Sequence, residues 1–434
     1  MTPAARISAA VALLDTVLVA KRPLNLALKD WGVANRYAGS GDRNAVANLV
    51  HDSLRVKASA GYLMGLRGDE ESSRAVLLGM LRRMRGLEVA EIEKLFSGER
   101  FAPEPLTDAE RAALELNSLE DAPHHVLGDY PAWLDESFET AFGEARVAEL
   151  GAMAARAPLD LRVNALKIIR IKAEEAISHL EPALTPLSPY GLRITANAEG
   201  RVPHVQSEPA YLKGAVEIQD EGSQLVALLA GAQPGEQVLD LCAGGGGKTL
   251  ALGAEMNNKG QIFATDSDQR RLAPIHDRIT RAGVRNVQVR TPKKGVMDLE
   301  DLADKMDLVL VDAPCTGTGT WRRHPDAKWR MRESALELRM GEQRDVLENA
   351  AHYVKPGGRL AYITCSLLDE ENGAQIAEFL ARHPEFSVVD PAENARKRGF
   401  EALAPRTDCR NLGLVLSPHR TNTDGFFFSL LQRA

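Results

Sequence analysis

In the first third of the chain the apolar positions fall at helical spacing: Ala9, Leu13, Leu14 and Val17 share a face, and Ala45, Leu49 and Val50 share another, with Leu24, Leu26 and Leu28 between them. β-Branched runs are nearly absent there. Residues 41–44 read as a turn entering a helix with Asp42 near its cap, and Thr107, Asp108 and Glu110 read the same way ahead of 111–114. Together these features predict an all-α bundle over residues 1–140. The pattern then mixes helical stretches (131–143 and 172–180), with the segment PLDLRVN at 158–164 between them, and a proline-spaced strand-like region at 185–198, which predicts a small α+β adaptor over 141–205. Over 206–434, short apolar strands at 237–241, 261–265, 287–289, 308–311 and 359–364 alternate with helices, and 425–430 closes the chain as a buried strand. Such alternation predicts an α/β Rossmann-like domain with a doubly wound parallel sheet. The expected protein is therefore multidomain.

Bulk properties narrow the classes. A chain of 434 residues exceeds what one core usually serves. The net charge of -7 excludes a generally basic nucleic-acid coat and leaves room for a local basic face. One such face is 321–344, with seven basic residues against four acidic; Arg322, Arg323, Lys328 and Arg330 are its candidates for RNA phosphate contacts. A second group, Arg43, Arg55, Lys57, Arg67, Arg82, Arg83 and Arg85, lies in the helical region. No stretch reaches the ~20 apolar residues of a membrane span, and the start is too alternately polar for a signal peptide, so a cytoplasmic protein is expected. The four cysteines, Cys242, Cys315, Cys365 and Cys409, form no CxxC pair; neither a disulfide framework nor a metal site is expected.

The segment VLDLCAGGGGKT places Asp240 at a strand end, followed by glycines 244–247 and a helix from Lys248. A nucleotide-triphosphate loop would need a glycine where Cys242 stands, and a dinucleotide fingerprint would need one at Thr249 or Leu250. A strand, an acidic residue, a tight glycine turn and a helix suit instead the amino-acid half of a methyl donor. Asp266 ends the next strand, where a carboxylate can accept the two ribose hydroxyls of an adenosine.

Two further segments end strands at that edge: DLVLVDAPCTGTGT with Asp312 and Cys315, and LAYITCSLLDEEN with Cys365. Neighbouring parallel strands lie under ~5 Å apart, so both thiols can face one pocket. The pyrimidine C5 is too weakly nucleophilic to take a methyl group unaided. A thiolate added to C6 moves electron density to C5, and a base must later remove the C5 proton. Two thiols and a carboxylate supply the necessary chemistry. On the residues alone, either cysteine can be the nucleophile; Cys242 and Cys409 read as small packing residues.

These segments, with residues 211–227, 311–329, 353–358 and 363–376, resemble in order the RNA (cytosine-5) methyltransferases of the Sun/Fmu (NOL/NOP2/Sun) family, in particular its bacterial ribosomal RNA branch. The resemblance implies S-adenosyl-L-methionine as methyl donor, held by Cys242, Ala243, Gly244, Gly245, Gly246, Gly247, Lys248, Asp266 and Arg271, with Asp312 between donor and cytosine. It implies Cys365 as the nucleophile and Cys315 as the residue assisting release. Residues 5–66 resemble the family's NusB-like RNA-binding domain. The implied substrate is a cytosine in 16S-like ribosomal RNA or the assembling small subunit, met by a monomer without metal. The alternatives are a transfer RNA cytosine-5 methyltransferase and an assembly factor that depends little on catalysis. Three departures stand out: AGGGG in the loop, PCTG in place of PCSG, and TPKKG at 291–295 without the aspartate that relatives set against the adenine amine.

Overall fold

The computed structural model describes residues 1–68, 70–196, 202–292 and 298–434. They form two compact units: Met1–Arg156 with Trp321–Met331, and the remaining described residues.

The first unit is helical because its sequence supplies helix starts as well as apolar faces. Thr2 caps the helix Pro3–Leu18 by accepting the Ala5 N–H at 3.2 Å, and Ile7, Ala10, Leu13, Leu14, Val17 and Leu18 are buried. Thr107 and Glu110 form a reciprocal capping box on Asp108–Leu116, worth about 1 kcal/mol. At residues 41–44 the structure departs from the expected turn. The helix Ser40–Arg55 already begins behind Gly39, and Asp42 sits in its first turn, paired with the N-terminal ammonium at 3.0 Å and with Arg6 at 2.8 Å. A carboxylate is as favourable in the first turn as at the cap, which is why the spacing alone misplaces the start.

The bundle also extends past residue 140 to Arg156, whose guanidinium donates to the buried Asp52 at 2.9 Å. It takes in Trp321–Met331 as well: Trp329 Nε1 donates to the Leu54 carbonyl at 2.6 Å, and Arg55 Nη2 to the Arg322 carbonyl at 3.1 Å.

The second unit contains two sheets. In the smaller, β1 (Leu159–Val163), β2 (Ala183–Leu184), β3 (Gly191–Ile194) and β4 (Val216–Ile218) run antiparallel in the order β2-β3-β1-β4. β4 lies beyond the expected boundary at 205, yet Leu161 faces Ile218 across the β1–β4 ladder. The expected adaptor and catalytic segments therefore share a sheet.

The larger sheet contains β5 (Gln237–Asp240), β6 (Gln261–Ala264), β7 (Val287–Val289), β8 (Met306–Asp312), β9 (Val354–Thr364), β10 (Phe386–Val388), β11 (Leu414–Leu416) and β12 (Phe426–Arg433). Its order is β10-β12-β9-β8-β5-β6-β7, with β11 also on β12. Strands β5 to β9 pair in parallel, while β12 is antiparallel to β9 and carries β10 and β11 antiparallel to itself. This is the Rossmann-like sheet expected from the alternation. Val238, Ile262, Leu308, Leu310, Ala361, Ile363 and Phe428 belong to its core. Chain order reverses between β5 and β8, and ligands bind outside the carboxyl ends of the strands at such a switch. β10 and β11, three residues each, are not among the strands the sequence predicts.

Candidate active site

Around that switch, strands and turns bring the sequence-selected residues together. β5 ends at Asp240, which is fully buried. Its Oδ2 accepts from Thr249 Oγ1 at 2.7 Å, while Oδ1 is buried with no hydrogen-bond partner among the described residues. Burial pushes this carboxyl up to about 7. Beyond β6, Asp266 Oδ2 accepts the Gly244 N–H and Oδ1 the Asp268 N–H, both at 2.9 Å. Between these carboxylates the glycine turn passes through left-handed backbone at Gly244 (φ +50°) and Gly246 (φ +81°). A Cβ at Gly246 would stand 2.5 Å from Ile275 Cγ1, so that position excludes any side chain.

Two arginines that the sequence reading missed fix the loop from behind. Arg162 of β1 donates to the Gly247 carbonyl at 2.9 Å, and Arg278 donates to the Gly245 carbonyl at 2.6 Å. Glu217 of β4 pairs with both Arg278 and Arg281. The smaller sheet therefore contributes directly to the loop's geometry. Arg162 lies in the segment 158–164, PLDLRVN, and nothing in its spacing indicates a loop contact.

The donor set fits an adenosyl amino acid: an orphan buried acceptor at Asp240, a second carboxylate at Asp266, and a turn whose glycines open backbone toward it. Arg271 lies 3.8 Å from Asp266 with its side chain about half exposed. Burial, then the charges of Asp240, Asp266 and Asp312, push the Cys242 thiol up, so it stays neutral beside the loop. Lys293, Lys294 and Gly295 of the TPKKG departure lie outside the described residues.

Lys248 opens the helix Gly247–Glu255, and its Nζ donates to Asp312 Oδ2, at the end of β8, at 2.6 Å. Asp312 and Ile363 are register partners on β8 and β9, so the segments that follow emerge side by side. Cys315 Sγ consequently lies 3.3 Å from Cys365 Sγ. The Ala313 N–H donates to the Ile363 carbonyl at 2.8 Å, and the Gly319 N–H to the Cys365 carbonyl at 2.9 Å, tying the two segments together on both sides of the thiols. The hydrogen bond to Cys365, then burial, then the neighbouring charges of Cys365 and Glu371 raise Cys315 well above the ordinary thiol range.

The basic segment behaves differently from its charge count. Arg322 and Lys328 are each only 2% exposed. Lys328 Nζ donates to the Arg55 carbonyl at 3.1 Å and stands 4.9 Å from the Trp329 ring centroid; burial lowers its ammonium to about 8. These two charges serve the bundle interior and are withdrawn from phosphate contact in this structure. Arg323 and Arg330 are partly exposed, with Arg330 paired to Asp326 at 3.0 Å. The charge count could not foresee this because the basic residues are interleaved with Trp321 and Trp329, which carry the segment into the bundle.

A sheet of this topology with acidic residues ending β5 and β6 around a glycine turn defines an S-adenosyl-L-methionine-dependent methyltransferase. Residues 227–432 match the family profile described as 16S rRNA methyltransferase RsmB/F. The chain is 30% identical over 421 residues to the probable ribosomal RNA small subunit methyltransferase B of Synechocystis sp., covering 91% of this chain and 92% of that one. It is 30% identical over 321 residues to the ribosomal RNA small subunit methyltransferase B of Shewanella oneidensis, covering 74% and 71%. Among solved structures, PH0851 superposes with a TM-score of 0.69 at 25% identity, over 100% of this chain and 99% of that one. The chain belongs to the RsmB/F family of ribosomal RNA methyltransferases, within the Sun/Fmu group.

Proposed function

We propose that this enzyme methylates C5 of a cytosine in 16S ribosomal RNA through a covalent bond between Cys365 and C6. The observation that carries the reading is the 3.3 Å approach of two thiols at the ends of adjacent parallel strands, one of which also ends in Asp312. A site that methylated an already nucleophilic oxygen or amine would need no such pair.

In this scheme the target base turns out of its stack into the pocket. The Cys365 thiolate forms a bond to C6, and the C5=C6 pair moves toward C5 and N3, where Asp312 faces the ring. The donor supplies an electrophilic methyl group to C5. The C5 proton then passes to a base, its bonding pair re-forms C5=C6, and the C6–S bond breaks with its electrons returning to Cys365.

Cys315 is the assigned base, as the resemblance implies. Hydrogen bonding to Cys365 is the largest influence keeping Cys315 protonated in the free enzyme. Bonding of the Cys365 sulfur to carbon removes one of the influences that hold the Cys315 proton, and Cys315 takes the proton at C5 after giving up its own to solvent. Phosphate positioning is assigned to Arg323 and Arg330.

Bisulfite mapping of total RNA from cells with and without the gene tests the reading. A 5-methylcytosine that vanishes from 16S ribosomal RNA, and returns with wild type but not with Cys365→Ala, is expected. Loss confined to transfer RNA would replace the substrate assignment, and growth restored by Cys365→Ala would favour the assembly role.

A further inference from the structure

Glu371 follows Cys365 by six positions and contributes nothing to the scheme above, yet it is fully buried, at 0% exposure. Burying a carboxylate is costly unless every lone pair is used. Here its two oxygens converge on the residue after Cys315: Oε1 accepts the Thr316 N–H at 2.8 Å, and Oε2 accepts from Thr316 Oγ1 at 2.5 Å. Oε1 also accepts from Gln343 Nε2 at 3.0 Å, and that same nitrogen donates to the carbonyl of Pro314 at 2.9 Å. The residues immediately before and after Cys315 are therefore both tied, directly or through Gln343, to one carboxylate.

The carboxylate is itself fixed. Tyr362 of β9 donates its hydroxyl to the Glu371 carbonyl at 2.8 Å, and Gln343 is fully buried on the helix Glu333–Tyr353. Meanwhile Gly317, two residues past Cys315, takes left-handed backbone at φ +73°, and residues 313–317 carry the thiol between β8 and the 3-10 turn Thr318–Thr320 without regular structure of their own.

We infer that Glu371 is a positioning residue for the release half of the reaction: by clamping Thr316 directly and Pro314 through Gln343, it holds Cys315 Sγ against the reacting carbon. The inference rests on the assignment of Cys365 to attack and Cys315 to release. Cys365 is held less by this clamp, since Glu371 reaches only the side chain of its neighbour Ser366, while the Cys365 carbonyl accepts from Gly319 and its own segment continues β9. Loss of the clamp should consequently slow breakage of the C6–S bond far more than its formation.

The test uses the full-length enzyme, radiolabelled S-adenosyl-L-methionine and 16S ribosomal RNA from cells lacking the gene, with denaturing gels read over time. Glu371→Ala is expected to accumulate a methylated protein–RNA adduct and to lose about 10²-fold in turnover, the scale of a catalytic group displaced by ~1 Å. Glu371→Gln, which keeps an acceptor for the Thr316 N–H, should recover most of the turnover. Thr316→Val, which keeps the backbone donor and loses the hydroxyl, should lie between and remains informative if Glu371→Ala fails to fold. Cys315→Ala is run beside them. If Cys315→Ala traps the adduct while folded Glu371→Ala and Thr316→Val show none, the clamp is refuted and the cysteine assignment stands. If Cys315→Ala itself does not trap, the assignment on which the clamp rests has failed. Equal loss of attack and release in Glu371→Ala, without rescue by Glu371→Gln, would reduce Glu371 to a structural residue.

Discussion

Lys248 Nζ and Asp312 Oδ2 lie 2.6 Å apart, the ammonium nearly buried and the carboxylate about one-third exposed. The pair joins the donor loop to the end of β8, which carries the carboxylate proposed to face the base. Its buried half orients Asp312, and its open half leaves the carboxylate accessible to a ligand. Asp312→Asn keeps the shape and removes the charge. Methylation in a single turnover should fall by about 10² to 10⁴-fold, as for loss of an acid–base group, while donor affinity changes far less. Single-turnover rates equal to wild type would exclude Asp312 from the chemistry.

Asp266 is held by two backbone N–H groups, so its carboxylate is preorganised before any ligand arrives. Asp266→Ala should weaken S-adenosyl-L-methionine binding by on the order of 1.5 to 3 kcal/mol, the range for a hydrogen bond to a charged group, and leave RNA binding intact. Isothermal titration with each ligand separately measures both quantities. Unchanged donor affinity would remove Asp266 from the ribose.

Arg162 reaches the donor loop from a different sheet, and burial holds its guanidinium down to about 10. Arg162→Met should cost about tenfold in donor affinity because the Gly247 carbonyl loses its charged donor and the loop its backing. If Arg162 only packs the smaller sheet, the variant will melt earlier but bind the donor normally once folded.

How much of this was legible in the sequence differs by kind of feature. The strand ends were, since Asp240, Asp266, Asp312 and Cys365 each follow a short, largely apolar run between helical stretches, and parallel pairing then brings them to one edge. The clamp was not, because Glu371, Thr316 and Gln343 come from three separate segments and no local pattern marks their convergence. Lys328 reversed its expected role for a related reason: a charge count registers the ammonium and ignores the two tryptophans beside it. The boundary near 205 failed because β4 is three residues long and pairs backward across it.

His51 links the helical unit to pH. Burial, then the charge of Arg55, lowers its imidazole to about 4 from an ordinary 6.5. Between those values the unfolded chain takes up a proton that the folded one refuses, so this contribution is present above pH 6.5 and is lost as pH falls through 4. Its full size is on the order of 3 kcal/mol. Urea midpoints should therefore drop on acidification from about pH 7 to about pH 4.5, and the drop should be smaller in His51→Gln. The same drop in both proteins would show that other groups govern acid sensitivity.

Cys315 and Cys365 are separable by where each variant stops. If Cys365 attacks C6, Cys365→Ala forms neither methylated RNA nor an adduct, because the first bond cannot form. If Cys315 removes the C5 proton, Cys315→Ala still attacks and methylates, then stays attached to its product. The two thiols lie 3.3 Å apart, so each is within reach of the same ring, and geometry by itself permits either order. What assigns them is the resemblance to the family, in which the cysteine of the TCS segment attacks and that of the APC segment assists release. A denaturing gel with labelled RNA and donor should show a retarded band carrying both labels for Cys315→Ala and none for Cys365→Ala. The reverse pattern, a methylated adduct in Cys365→Ala that is lost in Cys315→Ala, would exchange the two roles and with them the purpose assigned to the Glu371 clamp.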